Sequence, residues 1–164
     1  MPPSGGAGPA SARRAPRRHV PYVAVVGSSE QEPEAAEQVG REVARAGAVL
    51  VCGGGGGVMA AACRGSKAEG GTTLGILPGA DRAAANRWVD VAVATGLGEV
   101  RNALVVRASD ALIAVSGGYG TLSEIALALR DDVPVIGLGT WEIEGVVQGA
   151  SPADAVARAL ASKT

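Results

Sequence analysis

The chain has 164 residues, 47% of them apolar, with two Trp, two Tyr and no Phe, so one domain with a core of Ala, Val, Leu and Ile is expected. The formal net charge is -1, but Arg13, Arg14, Arg17 and Arg18 lie in an acid-free start; without them 11 basic residues face 16 acidic ones. An acidic folded part argues against a duplex-binding surface, and Cys52 and Cys63 form neither a CxxC pair nor a disulfide framework, as a reducing cytoplasm allows.

Residues 1–19 are dominated by Pro, Gly, Ala, Ser and Arg without apolar periodicity, which predicts a disordered extension before a single domain at 20–164. No apolar h-region follows the arginines, and no run approaches the roughly 18 apolar residues of a membrane span, so a soluble, cytoplasmic protein is expected. His19 borders the extension, and no part is assigned to it. From there short β-branched runs alternate with helical patterns. Strands are expected at 22–27, 49–52, 72–77, 89–94, 111–115 and 133–138, and helices at 33–46, 58–69, 99–108, 122–130 and 152–161. Near-continuous apolar strands separated by helices predict an α/β fold, a doubly wound, mainly parallel, Rossmann-like sheet with helices on both faces. Ligands of such sheets bind beyond the carboxyl ends of the strands. Two glycine-rich loops, the Pro78-Gly79 turn and the 95–98 loop fall at that edge.

The most informative stretch is Ser116-Gly117-Gly118-Tyr119-Gly120-Thr121-Leu122-Ser123-Glu124, which joins an apolar strand to an apolar helix. Glycines at such a turn bring backbone N–H groups close to an anion, and the helix N-terminus holds it; the expected anion is phosphate. The second loop, Gly53 to Gly57, lacks the GxGxxG spacing, and no GxxxxGK[ST] occurs. Its Gly54, Gly55, Gly56 and Gly57 are candidates to wrap a ligand with bare backbone, the alternative being a permissive turn.

Gly54 to Met59, Ile76-Leu-Pro-Gly79, Gly98-Glu-Val-Arg-Asn102 and above all Gly117-Gly-Tyr-Gly-Thr-Leu-Ser-Glu124 resemble the LOG (Lonely Guy) family. That family includes cytokinin riboside 5'-monophosphate phosphoribohydrolases with a PGGxGTxxE motif, and a shorter branch includes molybdenum cofactor carriers. The resemblance implies that Gly117, Gly118, Gly120 and Thr121 hold phosphate, that Glu124 is catalytic, and that Arg101 matches the arginine of an M-H-x-R-K segment. Here that segment lacks the His and the Lys, and Ser116 stands in place of the motif's opening proline. The family's old label, lysine decarboxylase, does not suit a chain whose lysines are Lys67 and Lys163, neither of them in a motif.

Hydrolysis of a nucleoside 5'-monophosphate at its N-glycosidic bond builds a cation on the ribose, which a fixed Glu124 carboxylate would stabilise; a helix N-terminus favours that ionised form. Glu124 also fits a capping box, with Thr121 capping the helix and Glu124 reaching back to it. Arg101 is read as a phosphate or leaving-base contact or a solvated helix residue, and Asn102 as a base or ribose contact or helix surface. Tyr119 either covers a base edge or is exposed, Asp81 is an acid or a turn carboxylate, and Trp88 and Trp141 are pocket walls or core. Both cysteines read as core, so no metal site is expected. The expected function is a nucleoside 5'-monophosphate phosphoribohydrolase needing no cofactor; the alternatives are a non-catalytic carrier of molybdenum cofactor held by its phosphate and a nucleotide-responsive binding protein. The apolar 122–129 helix, together with the resemblance, implies a homodimer or homotetramer.

Overall fold

Strand β1 (Tyr22–Gly27) sends alternate side chains to opposite faces, and both faces are buried: Val23 and Val25 enter one core, Ala24 and Val26 the other. The computed structural model describes residues 19–162, so the extension expected at 1–19 lies outside the described residues apart from His19. After β1 come α1 (Glu34–Arg45), β2 (Val49–Cys52), α2 (Val58–Ala68), β3 (Thr72–Leu77) and β4 (Val91–Ala94). Then follow α3 (Asn102–Arg107), β5 (Ala111–Val115), α4 (Tyr119–Arg130), β6 (Val135–Leu138), β7 (Val146–Gln148) and α5 (Pro152–Ala161).

The strands form one parallel sheet in the order β4-β3-β2-β1-β5-β6-β7. Helices α1, α2 and α5 cover one face around Leu50 and Ile113, while α3 and α4 cover the other around Val51, Leu112 and Ile125. The fold is thus the doubly wound, Rossmann-like sheet the strand pattern predicts. The chain lays strands outward from β1 to β4 and then returns to place β5 on the other side of β1. The connections leave β1 and β5 in opposite directions, and the crevice between them is the ligand position of such sheets.

Helices α1 and α2 meet backbone to backbone: a Cβ on Gly40 would collide with the Ala62 carbonyl, and one on Gly65 with that of Glu37. Arg64 closes the seam by pairing with Glu37 at 3.0 Å and Glu32 at 2.9 Å. Against the expected elements, β4 begins two residues late, because Val89 turns back onto the Asn86 carbonyl at 3.1 Å. The helix expected at 99–108 divides into a 3-10 turn, Gly98–Arg101, and α3. Strand β7 is additional; it pairs only with β6 and two of its three residues are exposed. No helix among the described residues is long and apolar enough to cross a membrane.

Candidate functional site

A cleft of about 510 Å3 opens at the β1/β5 switch point. Its walls come from the end of β1 and the loop from Ser28 to Gln31, from Gly53 after β2, from Glu99, Arg101 and Asn102, and from the stretch Gly117 to Thr121 with Glu124. Ser116 takes φ 53, a left-handed value that few residues other than glycine adopt, while its N–H still bonds the Leu138 carbonyl at 3.0 Å. Gly118 is extended, and α4 begins at Tyr119, three residues before the start expected from its apolar pattern. The N–H groups of Tyr119, Gly120 and Thr121 therefore belong to a first helical turn, which has no intrahelical acceptors for them.

This start overturns the capping box centred on Thr121. Thr121 is the third residue of α4, and its Oγ1 accepts the Gly118 N–H at 3.3 Å. Glu124, one turn further, is not engaged in a cap and lines the cleft instead. Behind the loop, Asn102 donates from Nδ2 to Ser123 Oγ at 3.2 Å, and Ser123 donates to the Gly120 carbonyl at 2.7 Å. Asn102, 6% exposed, thereby ties α3 to the first turn of α4.

Glu124 is 8% exposed, and burial raises its carboxyl from 4.5 to about 7; nearby Arg101 lowers it and Glu99 raises it. Burial thus outweighs the helix N-terminus expected to keep this group ionised, and near neutral pH the proton is shared between the two forms. The Arg101 guanidinium does not extend along the surface of its turn. Its Nη1 donates to the Ile76 carbonyl at 3.0 Å, and its buried Nε has no partner among the described residues. Arg101 and Glu124 are therefore brought into one cleft with Asn102 and the phosphate-type loop.

Other candidates are not. Gly54, Gly55, Gly56 and Gly57 do not line the cleft, which takes Gly53 alone from the run. Asn86 binds the Gly54 and Gly55 carbonyls at 2.8 and 2.9 Å, and the turn then feeds α2, whose first N–H bonds the Ser28 carbonyl. Asp81 caps a short turn by accepting the Ala83 N–H at 2.9 Å. Tyr119 is 91% exposed at the cleft edge. Trp141 lies on Gly117, its Cζ3 2.9 Å from where a Cβ would stand, and walls a smaller hollow with Ser116 and Thr140. Lys67 is bound to Asp90 and the Gly71 carbonyl. Cys52 and Cys63 are free thiols in the core with sulfurs 3.5 Å apart, and the adjacent sulfur and burial hold Cys63 protonated. Among the described residues no group of His, Cys, Asp and Glu could hold a metal ion. Residue patterns did not single out Ser28, Ser29, Gly53 or Glu99; the position of Ser28 just after the carboxyl end of β1 was the available signal.

The profile of the SLOG cluster4 family matches residues 20–163. The chain belongs to this family. Among solved structures, the SLOG chain is similar to the molybdenum cofactor binding protein from the phototrophic bacterium Rippkaea orientalis, at 35% identity and a TM-score of 0.83, covering 90% of this chain and 99% of that one. It is also similar to the molybdenum cofactor carrier protein of Chlamydomonas reinhardtii, at 34% identity and a TM-score of 0.78, covering 87% and 99%. A cytokinin riboside 5'-monophosphate phosphoribohydrolase of Mycobacterium tuberculosis is 33% identical over 117 residues, which span 66% of this chain and 63% of that protein.

Proposed function

We propose that this protein carries a phosphorylated pterin, the molybdenum cofactor, without turning it over. The likeness to the two molybdenum cofactor proteins covers 99% of each of those chains, and this observation carries the reading. The site is chemically compatible. A phosphate would accept hydrogen bonds from the N–H groups at the α4 N-terminus, where the helix dipole favours negative charge. Arg101 would add one fixed positive charge, and about 510 Å3 is within the ~300–1,000 Å3 of small-molecule pockets. In this reading the protein grips phosphate and ring, and the cargo's own sulfurs hold the metal. The backbone at Ser116 also favours a departure from the hydrolases, since a proline, as in their motif, cannot adopt φ 53.

The test is purification from a bacterial host that makes molybdenum cofactor, followed by oxidation of any bound pterin to its fluorescent derivatives. Stoichiometric pterin, with nucleoside monophosphates left intact by the same protein, is the expected result. Absence of pterin together with release of free base and ribose 5-phosphate would overturn it.

A second reading, the phosphoribohydrolase, is favoured by the presence of Arg101 and Glu124 in one cleft. Ionised Glu124 would stabilise the ribosyl cation, and its raised pKa places that activity above about pH 7. In either reading the ligand is small and phosphorylated. Assembly as a homodimer or homotetramer in the cytoplasm accompanies the proposal, and sedimentation would measure the assembly.

A further inference from the structure

The cleft has a polarity that a phosphate site alone does not require. Glu30, Glu99 and Glu124 all line it against the single guanidinium of Arg101. Glu124 is buried, faces the cleft and has no hydrogen-bond partner among the described residues. Glu99 stands two residues before Arg101 on the same 3-10 turn, is exposed, and lies near enough to raise the Glu124 carboxyl further. Its carboxylate makes no ion pair or hydrogen bond among the described residues. A phosphate dianion is repelled from these carboxylates and drawn to the α4 N-terminus, so a bound ligand is oriented one way round. The Glu99 carboxylate, exposed on the cleft wall, is left to meet another part of that ligand.

We infer that Glu99 determines ring specificity by accepting two parallel hydrogen bonds from a 2-amino-4-oxopyrimidine edge, the 2-amino group and the adjacent ring N–H that pterin (N3–H) and guanine (N1–H) share. A carboxylate presents two acceptor oxygens and no donor, and charge-assisted bidentate pairs are the strong ones. Adenine presents an unprotonated ring nitrogen beside its amino group, and that lone pair faces the carboxylate unfavourably. The inference rests on the reading that phosphate sits at the α4 N-terminus, and it narrows the ligand class at that site.

The experiment is calorimetric titration of the full chain with GMP, IMP, AMP and ribose 5-phosphate, repeated on Glu99→Gln. The wild type is expected to bind GMP about tenfold or more tightly than AMP, with IMP, which keeps N1–H and lacks the 2-amino group, between them. Glu99→Gln offers one acceptor and one donor, so it should weaken GMP and strengthen AMP, a reversal that partial unfolding cannot produce. Equal GMP and AMP affinity in the wild type, or a GMP preference that survives Glu99→Gln, would overturn the inference. Ribose 5-phosphate binding as tightly as GMP sinks the ring contact while leaving the phosphate reading standing. If neither ribose 5-phosphate nor any nucleotide binds, the phosphate reading falls and takes this inference with it.

Discussion

The guanidinium of Arg101 fills the space beside Gly53 in which a side chain would stand: a Cβ there would collide with Nη1. The obstacle is the flexible end of a long side chain, so Gly53→Ala should displace Arg101 from the Ile76 carbonyl and leave the backbone in place. The variant should still fold, with its melting temperature lowered by roughly 3–10 °C, since the lost hydrogen bond of a charged group is worth about 1.5–3 kcal/mol and each kcal/mol moves a domain of this size by about 2–4 °C. It should lose as much GMP affinity as Arg101→Ala, measured by titration side by side. Full affinity in Gly53→Ala would mean that the position of Arg101 is immaterial to binding.

Gly120 separates the proposed phosphate contact from the fold. A Cβ on Gly120 meets nothing within 4 Å, and Gly120 lines the cleft in the first turn of α4. Gly120→Asp therefore adds an anion where helix polarity welcomes one, and the melting temperature should hold or rise. Binding of ribose 5-phosphate should fall by at least about 100-fold, because the carboxylate competes for the same N–H groups. Retained binding would move the phosphate elsewhere.

Glu124 makes stability depend on pH. Its carboxyl titrates at about 7 in the fold against 4.5 in an ordinary environment, so between those values the folded state holds more protons than the unfolded state. Stability then falls as pH rises through this window, by up to roughly 3 kcal/mol once Glu124 is fully ionised above pH 7. Glu124→Gln removes the ionisation. Melting curves should coincide with the wild type near pH 4.5 and lie higher by about 5 °C or more at pH 8.5. Parallel curves at both pH values would mean that Glu124 is solvated.

Ser116 yields a pair of variants with opposite effects. Glycine takes its φ of 53 without strain, and Ser116→Gly should stabilise by about 1 kcal/mol while preserving ligand affinity. Ser116→Pro restores the residue of the hydrolase motif, but it cannot reach that angle and loses the bond to the Leu138 carbonyl. A loss of about 3 kcal/mol or more in urea unfolding is expected. A stable proline variant would show that the loop can enter as it does in the hydrolases.

The architecture was legible because each central strand is a short apolar run buried on both sides, and only a parallel sheet under two helical layers provides that for Val23 to Val26 and Ala111 to Val115. What escaped was decided by contacts that no window of sequence contains. Strand β7 has three residues and one neighbour, so its apolar signal is hardly distinguishable from a loop. Gly118 and Gly120 concealed the start of α4, since poor helix formers there are tolerated in a first turn that makes few internal bonds. Five successive glycines gave no sign of which one faces the cleft; Asn86, more than thirty residues away in sequence, turns Gly54 and Gly55 aside. Arg101 was brought forward by a family motif, while Glu99 was passed over because it stands where that motif has another residue. The raised pKa of Glu124 comes from burial, which belongs to the assembled fold.

Trp141, resting on Gly117, also gives this chain an optical gauge of its own loop. The second indole, Trp88, has the guanidinium carbons of Arg64 and Arg87 at 5.3 and 5.5 Å from its ring centre, and it does not line the cleft. With two tryptophans in the chain, emission excited selectively at the indoles would divide into a Trp88 contribution and a Trp141 contribution that would change if a bound anion displaced Gly117. Trp88→Tyr would leave Trp141 reporting alone, so that filling and emptying of the loop could be timed in unlabelled protein.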